Sequence, residues 1–300
     1  MPPKMNTTEQ ESLRFVALGP WDNDEDRSSH RFVTIERIPQ LILARELNFL
    51  HPTFSEEDLQ SIAKSEWYSI DRGKYYLEVR NPNFQDKLNG GAFIIDFDDC
   101  IFKSTQWHKK EYERIATSEE LKKRGVSITV EEARNIYQHS KIKIPGKSER
   151  EPRYTPLLNI ILLTQFVKQL EIGVGRDQAW QEMIRVKDEI AATVHGNNEQ
   201  CLSEFPIDQD IIDIFVNNHP SEFVYTDLSD LIFNNPIVSH DLKIIATRGK
   251  IEGALGQAYK LHASGIMEKG VDLVLYTNDQ KADAIILLSR LFPQLQEMHI

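Results

Sequence analysis

A short apolar run that ends in three aspartates constrains the fold of this chain more than any other feature. Residues 93–102 read Phe-Ile-Ile-Asp-Phe-Asp-Asp-Cys-Ile-Phe, and an Asn-Gly-Gly break precedes them at residues 89–91. Apolar residues after such a break predict a buried strand, which is typical of parallel sheets. The carboxylates of Asp96, Asp98 and Asp99 therefore follow the C-terminal end of a strand, where open α/β sheets bind their ligands.

Three aspartates so close together destabilise a folded chain unless something compensates their charge. Like charges within about 4–6 Å disfavour each other's ionised form, and a cation or hydrogen bonds remove that cost. Two interpretations follow: a solvated acidic turn, or a divalent-cation site that leaves one carboxylate free for chemistry. The density of carboxylates favours the second interpretation.

Length and charge limit the classes of function. Three hundred residues correspond to one large or two ordinary domains, and 40% hydrophobic residues suffice for a sizeable core. The formal net charge of −11 argues against nucleic acid or an anionic membrane surface as the main partner, because phosphate contacts need clustered Lys and Arg. Composition leaves the oligomeric state open.

Cysteine usage and hydropathy indicate a compartment. The two cysteines, Cys100 and Cys201, lie far apart and outside any CxxC or Cys/His zinc pattern, which favours a reducing compartment. The N-terminal residues are polar without a signal-peptide core, and no apolar run reaches the roughly 18 residues of a membrane span. We expect a cytoplasmic protein that does not span a membrane.

Strand signals at both ends of the chain enclose a helical region. Before residue 91, short strands are predicted at 15–18 and 75–79, and helices at 38–50 and 55–64. The helical region is predicted to contain helices at 105–116, 157–170, 177–194 and 208–216, a helix that begins at Thr129 with Glu132 as its capping-box partner, and a basic loop at 140–154. Strands then return at 223–225, 242–246, 273–276 and from Met298, with helices at 252–263 and 282–292. This order predicts a parallel sheet with right-handed crossovers and an inserted helical module.

Polar residues follow the ends of three predicted strands. They are Asp96 with Asp98, then Thr247 with Arg248 and Gly249, and finally the Asn278-Asp279-Gln280-Lys281 turn. The carboxyl ends of parallel strands share one edge of the sheet, so these groups can converge. Carboxylates, a hydroxyl beside backbone N–H groups, and a lysine suit a phosphate group together with Mg²⁺.

These stretches resemble the motifs of the haloacid dehalogenase-like (HAD) superfamily of hydrolases. The family's first motif, Asp-x-Asp after an apolar strand, is similar to Ile95-Asp96-Phe97-Asp98. Its second motif, a strand that ends in Thr, is similar to Ile245-Ala246-Thr247. Its third motif, a lysine at the start of a helix, is similar to Lys281, with Asp279 just before it. By this resemblance, residues 91–104 and 221–300 form the core and residues 105–220 form the cap. Residues 1–90 are not covered and remain an N-terminal extension of unclear role. It implies an α/β fold with a Rossmann-like parallel sheet core and an inserted all-helical cap domain.

The resemblance also implies roles for the site residues. Asp96 would be the nucleophile that forms an aspartyl-phosphate, and Asp98 the general acid and base. The Asp96 carboxylate and the Asp98 main-chain carbonyl would bind Mg²⁺. Thr247, Arg248 and Gly249 would hold the transferring phosphoryl group, and Lys281 would offset its charge. The implied activity is a Mg²⁺-dependent phosphatase acting on a small phosphomonoester.

The chain departs from the family pattern beside the first motif. Asp99 stands where Gly is frequent, and Cys100 replaces the usual Thr or Val.

The family's fourth motif, an acidic pair that completes the metal site, has two placements in this chain. In one, Asn278-Asp279 is the pair, and Lys260 or Lys269 is the third-motif lysine. In the other, which we favour, Lys281 is the third-motif lysine and the pair lies beyond Ile300, so that the chain is a C-terminally truncated form of a longer protein.

Two other function classes share these features. A catalytically weak or inactive HAD-like binding or scaffold protein would tolerate the unplaced fourth motif and the unassigned N-terminal residues. A phosphate-accepting receiver domain also places an Asp, a Thr and a Lys at strand ends, but the long helical insertion argues against it. Trp107, Tyr112 and Tyr137 are interpreted as packing residues of the cap.

Overall fold

The chain has a mixed α/β fold in which helices flank a single large sheet. The structure, a computed structural model, describes residues 14–17, 32–41, 43, 56–71, 73–142, 153–154, 156–194, 205–235, 241–248, 251–277, 281–295 and 297–299. None of the helices described in these ranges is long and apolar enough to cross a membrane.

The strands divide into one large sheet and one small hairpin-like pair. Their bounds are β1 Arg14–Ala17, β2 Phe32–Arg37, β3 Glu66–Ile70, β4 Tyr75–Val79, β5 Gly91–Asp96, β6 Lys141–Ile142, β7 Arg153–Tyr154, β8 Leu242–Arg248, β9 Leu273–Thr277 and β10 Glu297–His299. The large sheet has eight strands in the order β1-β2-β3-β4-β9-β8-β5-β10, and β6 pairs with β7. Strands β9, β8, β5 and β10 are parallel neighbours, whereas β1 to β4 are antiparallel and join the parallel part through β4 and β9.

The helices lie between the strands in the chain. Their bounds are α1 Glu56–Lys64, α2 Ser104–Thr117, α3 Glu119–Lys123, α4 Val130–His139, α5 Pro156–Glu171, α6 Arg176–Val194, α7 Gln209–Val216, α8 Thr226–Phe233, α9 Ile251–Ala263 and α10 Lys281–Leu291. We call residues 104–216, from α2 to α7, the helical insertion, because they separate the parallel neighbours β5 and β8.

Most helices follow the sequence pattern closely. The helices predicted at 105–116, 157–170, 177–194, 208–216, 252–263 and 282–292 are confirmed within one or two residues. The predicted capping box is also confirmed: the Glu132 N–H donates to the Thr129 hydroxyl, and the Thr129 N–H donates to the Glu132 carboxylate at 2.7 Å. The helix predicted at 38–50 lies largely outside the described residues.

The strand predicted at residues 223–225 is wrong. Residues Pro220–Phe223 form a 3₁₀ helix, Val224 makes only an isolated bridge to Phe102, and α8 begins directly afterwards. Phe223 and Val224 are buried, but the backbone here bonds to the loop after β5 instead of to a strand: the Lys103 N–H donates to the Phe223 carbonyl at 2.7 Å. These residues are apolar because they are buried beside that loop. From the sequence pattern, such burial looks the same as burial in a strand.

The described strands of the N-terminal third, β1 to β4, belong to the large sheet. Strands β2, β3 and β4 extend it beyond β9, and β2 and β3 were not predicted from the sequence. Leu59 and Ile62 of α1 share one buried cluster with Ala258 and Leu261 of α9. Although the sequence motifs assign no role to residues 1–90, their described part covers one side of the parallel strands.

The helical insertion has a hydrophobic core separate from those of the sheet. Its buried side chains run from Ile115 to Phe215 and form one cluster centred on α5, whose residues Ile160 to Leu163 are almost fully buried. Phe223, Val224 and Phe233 pack instead with Ile95, Phe97 and Phe102 beside the sheet. The two regions meet at the start of α2, where Trp107 packs against the sheet cluster.

A buried polar network joins the N-terminal strands to α9. Glu78 on β4 is fully buried; its Oε1 accepts from Ser65 and lies 2.7 Å from His262 Nε2, and its Oε2 accepts from Tyr276 at 2.8 Å. His262 Nδ1 lies 2.9 Å from the Ser61 hydroxyl of α1. Burial raises the pKa of Glu78, but the His262 charge and the hydrogen bonds outweigh it, so that this pKa lies below its ordinary value of 4.5.

We predict that Glu78→Gln destabilises the fold by about 3–5 kcal/mol, because it replaces the buried carboxylate that accepts from Ser65 and Tyr276 and contacts His262. Urea unfolding followed by circular dichroism measures this change. Glu182→Gln, which removes one partner of an exposed pair with Arg185, is the matched control and should leave the unfolding midpoint nearly unchanged. Equal effects of the two substitutions would contradict the prediction.

The same network predicts a dependence of stability on pH. Because the pKa of Glu78 is lowered in the folded state, the unfolded state binds more protons as the pH falls below about 4.5, and stability is lost there. Above that pH the contribution of Glu78 is fully present. Unfolding free energies measured from pH 6 down to pH 3 should therefore fall more steeply in the wild type than in Glu78→Gln.

Candidate active site

The carboxyl ends of the parallel strands bring the first two predicted groups together. Asp96, the last residue of β5, pairs in register with Ala246 of β8, and Thr247 follows as the next residue of β8. Thr247 is fully buried and its hydroxyl lies 3.4 Å from Asp98 Oδ2. The convergence of these two strand ends, expected from the sequence, is therefore confirmed. Residues 278–280 after β9 lie outside the described residues.

A tight loop turns the chain from β5 into α2. The N–H groups of Ile101 and Phe102 donate to the Phe97 carbonyl at 3.2 and 3.1 Å, and the Asp99 N–H donates to the Phe102 carbonyl at 2.7 Å. Asp99 has a φ of 56°, in the left-handed region that favours Gly and that Asp tolerates. This conformation explains why a position that is frequently Gly in the resembled family can hold Asp99 here.

The Asp99 side chain stabilises the start of α2. Its Oδ1 accepts from the Thr105 N–H at 3.0 Å and its Oδ2 from the Thr105 hydroxyl at 2.9 Å. A carboxylate that accepts from the first turn of a helix acts as a cap and also compensates the positive end of the helix dipole. The Asp99 carboxylate, one of the three clustered ones, therefore has a structural role as a helix cap. Cys100, the next residue, is exposed.

Asp98 is the centre of the polar contacts at this edge. Its Oδ1 accepts from the Ser104 hydroxyl and from Lys260 Nζ at 3.1 Å, and its Oδ2 accepts from Gln257 Nε2 at 2.5 Å and from the Thr247 hydroxyl. Gln257 also donates to the Thr247 hydroxyl at 3.0 Å. The loop after β5, the end of β8 and helix α9 are thus tied together by one carboxylate.

The ammonium group of Lys260 lies in an aromatic box. Its Nζ is 5.8 Å from the ring centroid of Phe97, 5.7 Å from that of Phe102 and 5.6 Å from that of Trp107. Cation–π attraction holds a lysine in such a place, and the rings limit the access of water. Lys260 is 8% exposed, so its charge acts on Asp98 with little solvent screening.

These contacts keep Asp98 ionised. Burial raises the pKa of its carboxyl group, but the charge of Lys260 and hydrogen bonds from Ser104, Lys260 and Gln257 outweigh burial and lower the pKa below its ordinary value of 3.8. Asp98 is therefore a carboxylate that accepts hydrogen bonds near neutral pH.

The helical insertion adds a second polar group beside this centre. His108 Nδ1 lies 2.9 Å from Glu111 Oε2 within α2, and His108 Nε2 lies 3.5 Å from the Tyr137 hydroxyl of α4. Burial and the charges of Glu111 and Asp98 raise the pKa of Tyr137, which stays a neutral hydroxyl. Tyr112 packs on the core of the insertion, as expected from the sequence, whereas Tyr137 and Trp107 face polar partners as well.

The side chains of several predicted site residues lie outside the described part of the structure. The structure places the backbone of Arg248 at the end of β8 and that of Lys281 at the start of α10, while Gly249 and Asp279 lie outside the described residues. The strand expected near Met298 is confirmed as β10, a parallel neighbour of β5.

Among the described residues, Lys260 is the lysine that contacts Asp98. Lys260 is one of the two candidates for the third-motif lysine in the placement that takes Asn278-Asp279 as the acidic pair. Lys269, the other one, pairs with Asp230 and donates to Ser229 at 2.9 Å, away from Asp98.

Sequence reasoning missed Ser104, Gln257 and the His108–Glu111 pair. The signal for Gln257 and Lys260 is their spacing of three residues, which puts both on one face of α9. Gln257 belongs to none of the motifs, and the contact of Lys260 with Asp98 spans 162 residues of sequence. Only the packing of α9 on β8 reveals it.

Metal-ligand geometry is incomplete in the part of the chain that the structure describes. Within those residues, no three His, Cys, Asp or Glu side chains form a group that could hold a metal ion. The oxygen donors of Asp96 and Asp98 are of the type that Mg²⁺ takes, and Asp279, the third ligand expected in one placement, lies outside the described ranges.

Comparisons of the chain with protein-family models, with curated proteins and with solved structures returned no match.

We predict that Lys260→Met raises the pKa of Asp98, because the Lys260 charge is the main factor that opposes burial. Carboxyl titration by NMR on ¹³C-labelled aspartate measures this pKa, with the signal assigned from Asp98→Asn. Lys269→Met is the matched control and should leave the Asp98 signal unchanged. An Asp98 pKa that is the same in Lys260→Met and in the wild type would contradict the assigned contact.

Proposed function

We propose that this chain is a Mg²⁺-dependent phosphohydrolase of the HAD-like class that acts on a small phosphomonoester through an aspartyl-phosphate. The observation that carries the proposal is the meeting of Asp98 with Thr247 and Lys260 beside Asp96, at the carboxyl end of parallel strands. A carboxylate nucleophile, a buried hydroxyl and a lysine are the groups that phosphoryl transfer needs in one place.

The architecture supports this class. The parallel strands β9, β8, β5 and β10 would form the Rossmann-like core, with residues 91–104 and 221–300 as its sequence range. The helical insertion between β5 and β8 would be the cap, within the proposed limits 105–220, and its separate hydrophobic core suits a unit that closes over the site. Residues 1–90 would be an accessory layer of the core.

Asp96 is the proposed nucleophile. It is the last residue of β5 and so lies at the edge where ligands bind in open α/β sheets. One of its carboxylate oxygens would bond to phosphorus as the bond to the leaving oxygen breaks, and water would then release phosphate from the aspartyl-phosphate.

Asp98 would position the groups around the nucleophile through its hydrogen bonds. The resemblance to the HAD family gives it the general acid and base role, which needs a proton on the carboxyl group at the moment of transfer. Its contacts with Lys260 and Gln257 instead favour the ionised form, so they support a positioning role and a base role better than a donor role.

The remaining phosphate contacts would come from the end of β8 and from a lysine. The Thr247 hydroxyl and the backbone N–H groups of Arg248 and Gly249 would bind the phosphoryl oxygens, and Lys260 or Lys281 would offset their charge. The Asp96 carboxylate and the Asp98 main-chain carbonyl, with Asp279, would hold Mg²⁺. When bound, the ion supplies electrostatic stabilisation of the phosphoryl charge.

The acidic chain supports a small phosphorylated substrate over nucleic acid or a membrane surface, and a cytoplasmic location remains part of the proposal.

The decisive test is Mg²⁺-dependent release of phosphate from 4-nitrophenyl phosphate. We expect Asp96→Asn to abolish turnover, because an amide cannot act as the nucleophile. Asp86→Asn, which alters an exposed aspartate in the 3₁₀ helix Phe84–Lys87, is the control and should retain full activity. Wild-type activity no higher than that of Asp96→Asn would rule the proposal out.

A second candidate function is a catalytically weak or inactive HAD-like binding or scaffold protein. The observation that favours it is the occupation of both Asp98 carboxylate oxygens by internal donors, which leaves this side chain little capacity to act as a general acid and base. Mg²⁺ titration by calorimetry separates the two candidates. Binding that Asp96→Asn removes favours the enzyme, whereas a wild type that neither binds Mg²⁺ nor hydrolyses the ester favours the scaffold.

A further inference from the structure

The side chain of Gln257 contacts two groups of the candidate site, and none of the roles above uses it. Gln257 lies about two turns into α9. Its Nε2 donates to the Thr247 hydroxyl at 3.0 Å and to Asp98 Oδ2 at 2.5 Å. An amide nitrogen carries two hydrogens and accepts none. Both hydrogens are therefore used, one on each oxygen, between the end of β8 and the loop after β5.

The contact with Gln257 restricts the direction of the Thr247 hydroxyl proton. A hydroxyl group has one proton to donate and accepts through its lone pairs. Because Thr247 is fully buried, protein partners and not bulk water set the orientation of this group. The Gln257 nitrogen can only donate, so the Thr247 oxygen accepts on that side. The hydroxyl proton therefore turns toward a different acceptor.

The acceptor that the structure shows for this proton is a distant one. Asp98 Oδ2 lies 3.4 Å from the Thr247 hydroxyl oxygen. Hydrogen bonds between a hydroxyl group and an oxygen normally span about 2.5–3.0 Å, so this contact is weak. A phosphoryl oxygen bound at the end of β8 would be a better acceptor at a normal distance. The proton of Thr247 is thus directed away from Gln257 and held only weakly.

Neighbouring residues on α9 keep the Gln257 backbone in place. One turn further along the helix, Lys260 Nζ lies 5.6 Å from the ring centroid of Trp107. His262, at the next turn, lies 2.7 Å from the buried carboxylate of Glu78. A side chain orients another group well only when its own element is held by packing and hydrogen bonds. Helix α9 meets that condition on the side of Gln257 that leads to its C-terminus.

We propose that Gln257 is a positioning residue that acts through Thr247; this inference rests on the proposed phosphohydrolase function. Gln257 holds the Thr247 hydroxyl in the orientation that donates to an oxygen of the transferring phosphoryl group. It does not touch the reacting atoms and exchanges no proton. Donors that are oriented before the reaction stabilise the developing charge without reorganisation. Without Gln257, the Thr247 proton also populates orientations that do not reach the phosphoryl group.

The test is a double-mutant cycle between Gln257 and Thr247, measured as kcat/KM for 4-nitrophenyl phosphate with Mg²⁺. Gln257→Met keeps the length of the side chain and removes its donors, and we expect kcat/KM to fall about tenfold. Thr247→Val removes the hydroxyl and should lower kcat/KM about 100-fold. Adding Gln257→Met to Thr247→Val should cost less than about twofold, because no hydroxyl is left to orient.

Further variants separate orientation of the hydroxyl from a general structural effect. Thr247→Ser keeps the hydroxyl, so adding Gln257→Met to it should again cost about tenfold. Gln257→Asn keeps the amide but shortens the side chain by one methylene, and it should behave like Gln257→Met. Gln209→Met is the matched control, because Gln209 of α7 also donates to an aspartate, Asp213, at 2.8 Å but on an exposed surface. It should leave kcat/KM unchanged. Thermal unfolding followed by circular dichroism shows that each variant folds.

Equal losses from Gln257→Met in the wild type and in Thr247→Val would show that Gln257 does not act through the hydroxyl. That result would overturn this inference while leaving the phosphohydrolase proposal intact. An unchanged or raised kcat/KM in both Gln257→Met and Gln257→Asn would overturn it in the same way. A wild type that releases no phosphate from the ester would refute the proposed function and this inference with it.

Discussion

The ion pair between Asp98 and Lys260 is the contact on which the arrangement of the site depends. It joins the loop after β5 to helix α9, and hydrogen bonds from Thr247 and Gln257 add the end of β8 to the same carboxylate. Removing one partner of such a largely buried pair leaves an uncompensated charge, which costs more than the pair itself contributes. The aromatic rings around Lys260 strengthen the constraint, because they limit the water that would screen either charge.

Helix α9 is held from two sides. Gln257 and Lys260 reach Asp98, whereas His262 reaches Glu78 in the polar network under the N-terminal strands. The position of Lys260 therefore depends on the packing of β4 and α1 as well as on the site itself. This gives residues of the N-terminal third a physical role, although no motif among them carries a recognisable chemistry.

The local patterns predicted the helices and the strand that ends at Asp96 because each is a property of neighbouring residues. The spacing of apolar residues identified α5 and α6, and the Thr129–Glu132 capping box marked the start of α4. The apolar residues at 223–225 were assigned wrongly because burial against a loop and burial in a sheet select the same residue types. Strand β3 was missed because its burial does not alternate strictly, so a period of two is not visible in its sequence.

The sequence by itself determined that Asp96 and Asp98 follow a buried strand, that Thr247 follows another, and that helices separate the two. These features depend on hydrophobic periodicity and chain breaks, which act over a few residues. The tertiary structure alone decided which lysine contacts Asp98 and which side chains donate to its carboxylate oxygens. The contacts of Lys260 with Asp98 and of His262 with Glu78 span 162 and 184 residues, and contacts of that kind follow from the packing of whole elements, on which local patterns carry no information.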